Sequence, residues 1–176
     1  ESQGYNDWAG TYMLEQARRS LDDVIRPLRE AAAEDPQLNP IGHGPGNALL
    51  HCAGTCRMCG RLSRGAKNPQ ATGLRLARDV TDNHEVVGVA LGQSWAEHEM
   101  DLANNEVGLR CCESVGASVA GGQGRGSQNG IDECIKCCGR ELVAGALTWM
   151  RQLEEPPVPP GETPATPPGR PAHGGP

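Results

Sequence analysis

The sequence predicts an all-α domain, a single compact bundle of about five helices braced by disulfides. Three observations predict it. Apolar residues recur at spacings of three and four along most of the chain, the period of a helix with one buried face. Strand signals are nearly absent, because no stretch alternates polar and apolar residues with β-branched enrichment. Eight cysteines fall in or beside the segments that read as helices, in a chain with no Phe, three Trp and two Tyr. A core so poor in rings must be built from Leu, Val, Ala, Met and cystine.

The chain of 176 residues divides by composition into an N-terminal extension (1–9), a helical domain (10–153) and a Pro-rich tail (154–176) expected to be disordered. The middle part is long enough to bury a hydrophobic core of its own. The net charge of −6 argues against bulk attraction to nucleic acid or an anionic membrane. No apolar run approaches the roughly 18 residues of a membrane span, so no transmembrane segment is expected. The first residues lack the basic and apolar regions of a signal peptide, as expected if a leader has been removed or the chain derives from something longer.

The first helix is predicted over residues 10–33, where Leu14, Ala17, Leu21, Val24, Ile25 and Leu28 give the apolar face. Pro27 should kink or divide it, since a mid-helix proline removes one backbone hydrogen bond. The following EDPQLNPIGHGPG is a loop by composition. A second helix should start at Asn47, a competent N-cap, and run to Leu62 with Cys52, Cys56 and Cys59 on one face. A third should cover Gly73 to Leu91. The fourth should begin at Ser94, with Glu97 three residues on as its reciprocal cap, and reach Cys112 or slightly beyond. Residues 116–130 are Gly-rich and read as a loop, and a fifth helix is expected from Asp132 to Leu153.

Two chemistries compete for the cysteines. Cys56-x-x-Cys59 and Cys134-x-x-Cys137 have the local spacing of zinc knuckles, but both lie inside predicted helices and four thiols would be left over. An even count, with the neighbours Cys111–Cys112 and Cys137–Cys138 unable to bridge easily to themselves, favours disulfides between the second, fourth and fifth helices. Which of Cys52, Cys56, Cys59, Cys111, Cys112, Cys134, Cys137 and Cys138 pairs with which stays open. Disulfides in turn imply maturation in an oxidising compartment, secreted or exported.

Reactive side chains concentrate between Asp79 and Cys112. His84 falls on the row Ala77, Val80, His84, Val87, Leu91 and is expected to point inward, with Glu85 beside it. Asp101, Asn104, Asn105 and Gly108 should share one face, Gly108 leaving room for a close approach. A plain structural account stands beside this one: a buried, hydrogen-bonded core histidine and a polar network between helices. Between Asp35 and Asp79 there is no acidic residue, while Arg57, Arg61, Arg64, Lys67, Arg75 and Arg78 fall there, a patch suited to phosphate or simply a solvated basic face.

The most concrete mechanism these residues offer is hydrolysis. His51, His84 and Asp101 would hold a divalent metal, with Glu85 or Glu99 as general base. In a metal-free form His84 is the base, and Asn104 or Asn105 donates to developing negative charge. Gly-x-Ser-x-Gly and His-Glu-x-x-His are both absent, which disfavours common esterases and zinc proteases. The substrate class expected is a phosphate-bearing or other ester. The opposing expectation is a non-enzymatic, disulfide-rich secreted binding or structural domain.

The order Asn47-x-x-x-His51, Asp82-x-His84-Glu85 and Glu99-Met100-Asp101-Leu102-x-Asn104-Asn105-x-x-Gly108 resembles an uncharacterised family of bacterial secreted proteins and polymorphic-toxin C-terminal domains. The resemblance spans residues 44–112. It departs at Leu50, where the family usually carries Arg before the His, and in the cysteine framework. What it implies is an exported toxin or effector domain that acts on a competitor or host, with a cognate immunity protein as partner.

Overall fold

A computed structural model describes the backbone over residues 2–117, 120 and 127–149. Among these residues there are five α-helices and no strand: α1 (Ser2–Ala32), α2 (Pro45–Leu62), α3 (Pro69–Ala90), α4 (Trp95–Val115) and α5 (Ser127–Val143). A short 3-10 turn, Pro36–Leu38, follows α1 and is capped by Asp35, whose carboxylate accepts from the Gln37 amide. Among the described residues no helix is long and apolar enough to cross a membrane. The Pro-rich tail and most of the Gly-rich segment lie outside the described residues.

Several boundaries differ from the expected ones. The first helix starts at Ser2, inside the expected extension, and is not divided by Pro27. Asn47 does not cap α2: Gly44 occupies that position without a side-chain bond, Pro45 opens the helix, and the Asn47 amide donates to the Pro40 carbonyl instead. α3 begins earlier than expected because Asn68 accepts from the Ala71 amide and Pro69 suits a first turn, whose N–H needs no partner. Ser94 and Glu97 form the anticipated reciprocal cap at 3.2 and 2.7 Å. α5 ends at Val143, with Gly145 at φ +76° turning the chain away.

α2 is the central rod and packs against each of the other four helices. Its face of Ala48, Leu49, Cys52, Ala53, Cys56, Met58, Cys59 and Leu62 is buried. Two glycines on neighbouring helices set how closely those helices approach. A Cβ on Gly108 of α4 would sit 2.4 Å from the Cys52 carbonyl oxygen, and one on Gly73 of α3 would sit 2.4 Å from that of Cys59. Gly108 thus makes room for a helix backbone.

All eight cysteines are paired: Cys52–Cys138, Cys56–Cys134, Cys59–Cys112 and Cys111–Cys137. Two bridges join α2 to α5, one joins α2 to α4, and one joins α4 to α5, the three helices expected to be linked. The neighbours Cys111 and Cys112 diverge to different helices. Four bridges fit a protein that matures in an oxidising compartment.

Beside the cystines lies a fully buried guanidinium. Arg57 of α2 donates through Nε to Asp23 of α1 at 3.0 Å and through Nη1 to the Ala120 carbonyl at 2.5 Å. Arg61 donates to the same carboxylate oxygen of Asp23. Burial alone would raise the Asp23 pKa, but the hydrogen bonds from Arg61 and Arg57 outweigh it and hold the carboxyl below its ordinary value. Arg75 pairs with Asp79 and Arg78 with Glu106, so four members of the expected basic patch are engaged within the fold.

Reduction should therefore be structural in its effect. Denatured protein titrated without reductant is expected to show no free thiol and after reduction eight. The reduced form should lose helicity and melt lower, each bridge contributing about 2–4 kcal/mol, while a chelator alone should leave the melting curve unchanged. Asp23→Ala is expected to destabilise by about 3 kcal/mol at neutral pH, because it leaves Arg57 buried without its counter-ion. Since the folded pKa of Asp23 is depressed, its stabilisation is present above the unfolded value near 3.8 and is lost as pH falls through the folded one. Urea titrations of the variant should accordingly show a flatter acid slope than the parent.

Candidate functional site

Four of the residues singled out from the sequence meet in one place. His51 of α2, Glu85 of α3, and Asp101 and Asn105 of α4 form a contiguous polar cluster inside the bundle. His51 Nδ1–H donates to Asn105 Oδ1 at 3.3 Å, and the Thr55 hydroxyl donates to the same oxygen at 2.9 Å. The Asn105 amide nitrogen donates to Glu85 Oε1 at 3.1 Å. Asn105 is thereby fixed by both ends of its carboxamide, and it ties three helices together.

With Nδ1 carrying the proton, a neutral imidazole presents a lone pair at Nε2. That nitrogen faces Asp101 Oδ1 at 3.3 Å. Asp101 is buried, its Oδ2 accepts from Gln93 Nε2 at 2.7 Å, and its Oδ1 has no hydrogen-bond donor. Two facing electron pairs need a positive charge between them. Burial pushes the Asp101 carboxyl up from its ordinary range, the Glu85 charge adds to this, and His51 opposes it. The same gap suits a cation. Two ligands about 2.1 Å from one metal at a tetrahedral angle lie about 3.4 Å apart, and ligand atoms of His51, Glu85 and Asp101 lie within 4.8 Å of one another.

The cluster forms part of the wall of a cavity of about 580 Å³ bounded by α1, α2, α3 and α4. His51, Glu85, Thr55 and Asn105 face it; Asp101 stands behind the imidazole. The rest of the lining is mainly apolar, with Met13, Ala17 and Leu21 from α1, Leu50 and Met58 from α2, and Val80 from α3.

Three expected members stand apart from the cluster. His84 is exposed at the cavity's edge, since the inward row of α3 is Gly73, Ala77, Thr81 and Glu85, not the row of Val87 and Leu91, which are also exposed. The expected metal set His51, His84 and Asp101 is thus corrected to His51, Glu85 and Asp101. Asn104 is fully buried but turns away from Asn105: its Nδ2 donates to the Thr148 carbonyl and its Oδ1 accepts from the Thr148 amide, holding the chain after α5. Glu99 is exposed, and Glu97 caps α4 while pairing with His43 at 2.8 Å.

Three contributors were not anticipated. Thr55 has no sequence signal beyond lying one helical turn after His51. Gln93 reaches Asp101 from the α3–α4 turn, in space that Gly88 leaves: a Cβ there would sit 2.2 Å from Gln93 Oε1. His98 is buried and its Nδ1–H donates to the Glu85 carbonyl at 3.3 Å, fixing the last turns of α3.

Removing the central carboxamide tests the network. Asn105→Ala leaves Glu85 and Thr55 without buried partners and is expected to cost about 1–3 kcal/mol in urea denaturation. His84→Ala, at an exposed position, should change stability by no more than about 0.5 kcal/mol.

No curated protein and no solved structure matches the chain. Residues 28–125 match the family described as Domain of unknown function (DUF6973). The span takes in His51, Glu85, Asp101 and Asn105 and leaves out α5 with its three cysteines. Since the match covers more than half of the sequence, the chain belongs to the DUF6973 family.

Proposed function

We propose that this domain is a metal-assisted hydrolase, exported by a bacterium as a toxin or effector. The observation that supports hydrolysis best is the convergence of one imidazole and two buried carboxylates beside a cavity that His51 and Glu85 line, with an acceptor, Asp101 Oδ1, that has no donor. Among the described residues no Lys or Arg lines that cavity to balance the carboxylates, and a divalent ion would do so. Such an ion activates water and polarises a carbonyl or phosphoryl oxygen.

The chain's own groups have separable tasks in this reading. His51, Glu85 and Asp101 hold the ion, Gln93 orients Asp101, and Thr55 holds Asn105 where its carboxamide borders the cavity. Support of this kind from outside the ligand set fixes ligand orientation and typically matters 10–100-fold. The toxin or effector role is supported by the motif resemblance, the four bridges and the absence of a membrane-spanning helix among the described residues.

One observation favours a passive reading as the alternative: Asn105, Thr55 and Glu85 already satisfy one another, as in a purely structural network. Calorimetric titration with zinc, manganese, magnesium and calcium separates the two. We expect saturable binding of one ion per chain, weakened at least about tenfold in Asp101→Asn or His51→Ala, with far-ultraviolet circular dichroism unchanged. No uptake by the parent, together with unfolding of His51→Ala, would falsify the enzyme reading.

A further inference from the structure

Resting on the hydrolase reading, we propose that the cavity is an acyl-chain pocket, and that the substrate is an ester of an unbranched fatty acid whose carbonyl reaches the His51–Asn105 floor. The lining joins an apolar set to a buried polar one. Met13, Ala17 and Leu21 of α1 stand with Leu50, Met58 and Val80 of α2 and α3, whereas the polar groups Thr55, Glu85 and Asn105 are buried beside His51, and Asp79, Asn83 and His84 are exposed. An apolar shaft ending in a few fixed polar groups suits a ligand that is hydrocarbon along its length and polar at one end.

Charge points the same way. Among the described residues neither Lys nor Arg lines the cavity, and its ionisable groups besides the histidines are the acidic Asp79 and Glu85. Arg57, Arg61 and Arg78 are occupied by Asp23 and Glu106 elsewhere, and Arg75 pairs with Asp79 of the lining. A phosphate placed inside would find no Lys or Arg beside the proposed ion, while a neutral acyl chain needs none. In this proposal a carboxylic ester is therefore preferred to a phosphate-bearing target. Leu14 and Val87 also line the cavity and are 67% and 54% exposed, beside the exposed Asp79, Asn83 and His84.

The reaction balances with water alone. Water adds its oxygen to the ester carbonyl carbon, the carbon–oxygen bond to the alcohol breaks, and water's two protons end on the alcohol and, through the site's base, in solution as the acid ionises.

The test uses the full chain with the divalent ion that binds it. Hydrolysis of p-nitrophenyl acetate, butyrate, octanoate and dodecanoate is compared with that of bis(p-nitrophenyl) phosphate, and decanoate binding is measured separately by displacement of a fluorescent fatty acid. We expect kcat/KM to rise with chain length, by up to roughly fourfold per methylene until the cavity is filled. Ala17→Phe should remove this preference by filling the shaft. Leu14→Glu and Val87→Asp, at exposed positions that do not endanger folding, should weaken it and decanoate binding together.

Phosphatidylcholine vesicles added as a further substrate separate a lipid source of the acyl chain from a soluble ester, and turnover of either supports the pocket. Equal rates for acetate and dodecanoate, or a preference for the phosphodiester, overturn the acyl assignment and leave the hydrolase intact. Decanoate binding that the three variants lose, without turnover of any ester, retains the pocket and overturns the hydrolase. Absence of both removes both.

Discussion

The spacing of α3 and α4 against α2 is the constraint on which the rest depends. Gly108 lies over the Cys52 carbonyl and Gly73 over that of Cys59, each at a distance that forbids any side chain. Helices that touch through ordinary side chains stand 8–10 Å apart, and glycine at the crossing lets them come nearer. Asn105, about one turn before Gly108, is thereby brought to hydrogen-bonding distance of Thr55 and His51. Glu85, roughly three turns beyond Gly73 on the same inward row, arrives at the other side of the carboxamide. The site is a consequence of two backbone contacts, each several residues from the groups they position.

The interior that accommodates this arrangement is unusual in composition. Rings are nearly absent from the buried set, and the space is filled by small aliphatic residues, cystine sulfur and one guanidinium. Cystines compensate in a way that packing does not, because they act on the unfolded chain by shortening its loops. Arg57 acts differently. It links α2 to α1 and to the segment after α4 through charge-assisted hydrogen bonds from Nε and Nη1, while its Nη2 is buried without a partner.

Much of this was legible in the sequence, and the parts that were not share a cause. Helix number, the reciprocal cap of Ser94 and Glu97, the common face of Cys52, Cys56 and Cys59, and the absence of strands all follow from periodicity or local chemistry. Disulfides between α2, α4 and α5 followed from the cysteine count and the placement of those helices. Apolarity marks the row His84, Val87, Leu91 as the inner face of α3, whereas the inner face is Gly73, Ala77, Thr81 and Glu85. Small residues at a close helix crossing carry little hydropathy, so the apolar row lies about one residue, roughly 100°, from the inner one. The same limit separated Asn104 from Asn105: adjacent carboxamides serve different neighbours, and only the packing of α2 and of the chain after α5 decides which. Gly145 was an available stop signal for α5 that the apolar period extending past it obscured.

Three cystines on consecutive turns of α2 remove two motions that packed helices ordinarily retain. A rod fastened at residues 52, 56 and 59 to two different neighbours can neither roll about its long axis nor ratchet by a turn along them. His51 immediately precedes the first fastening, so the backbone that carries its ring is held by covalent bonds, while the ring itself is turned by its hydrogen bond to Asn105. Whatever occupies the space beside the imidazole finds that helix already placed, and little ordering of it is left for the moment of binding.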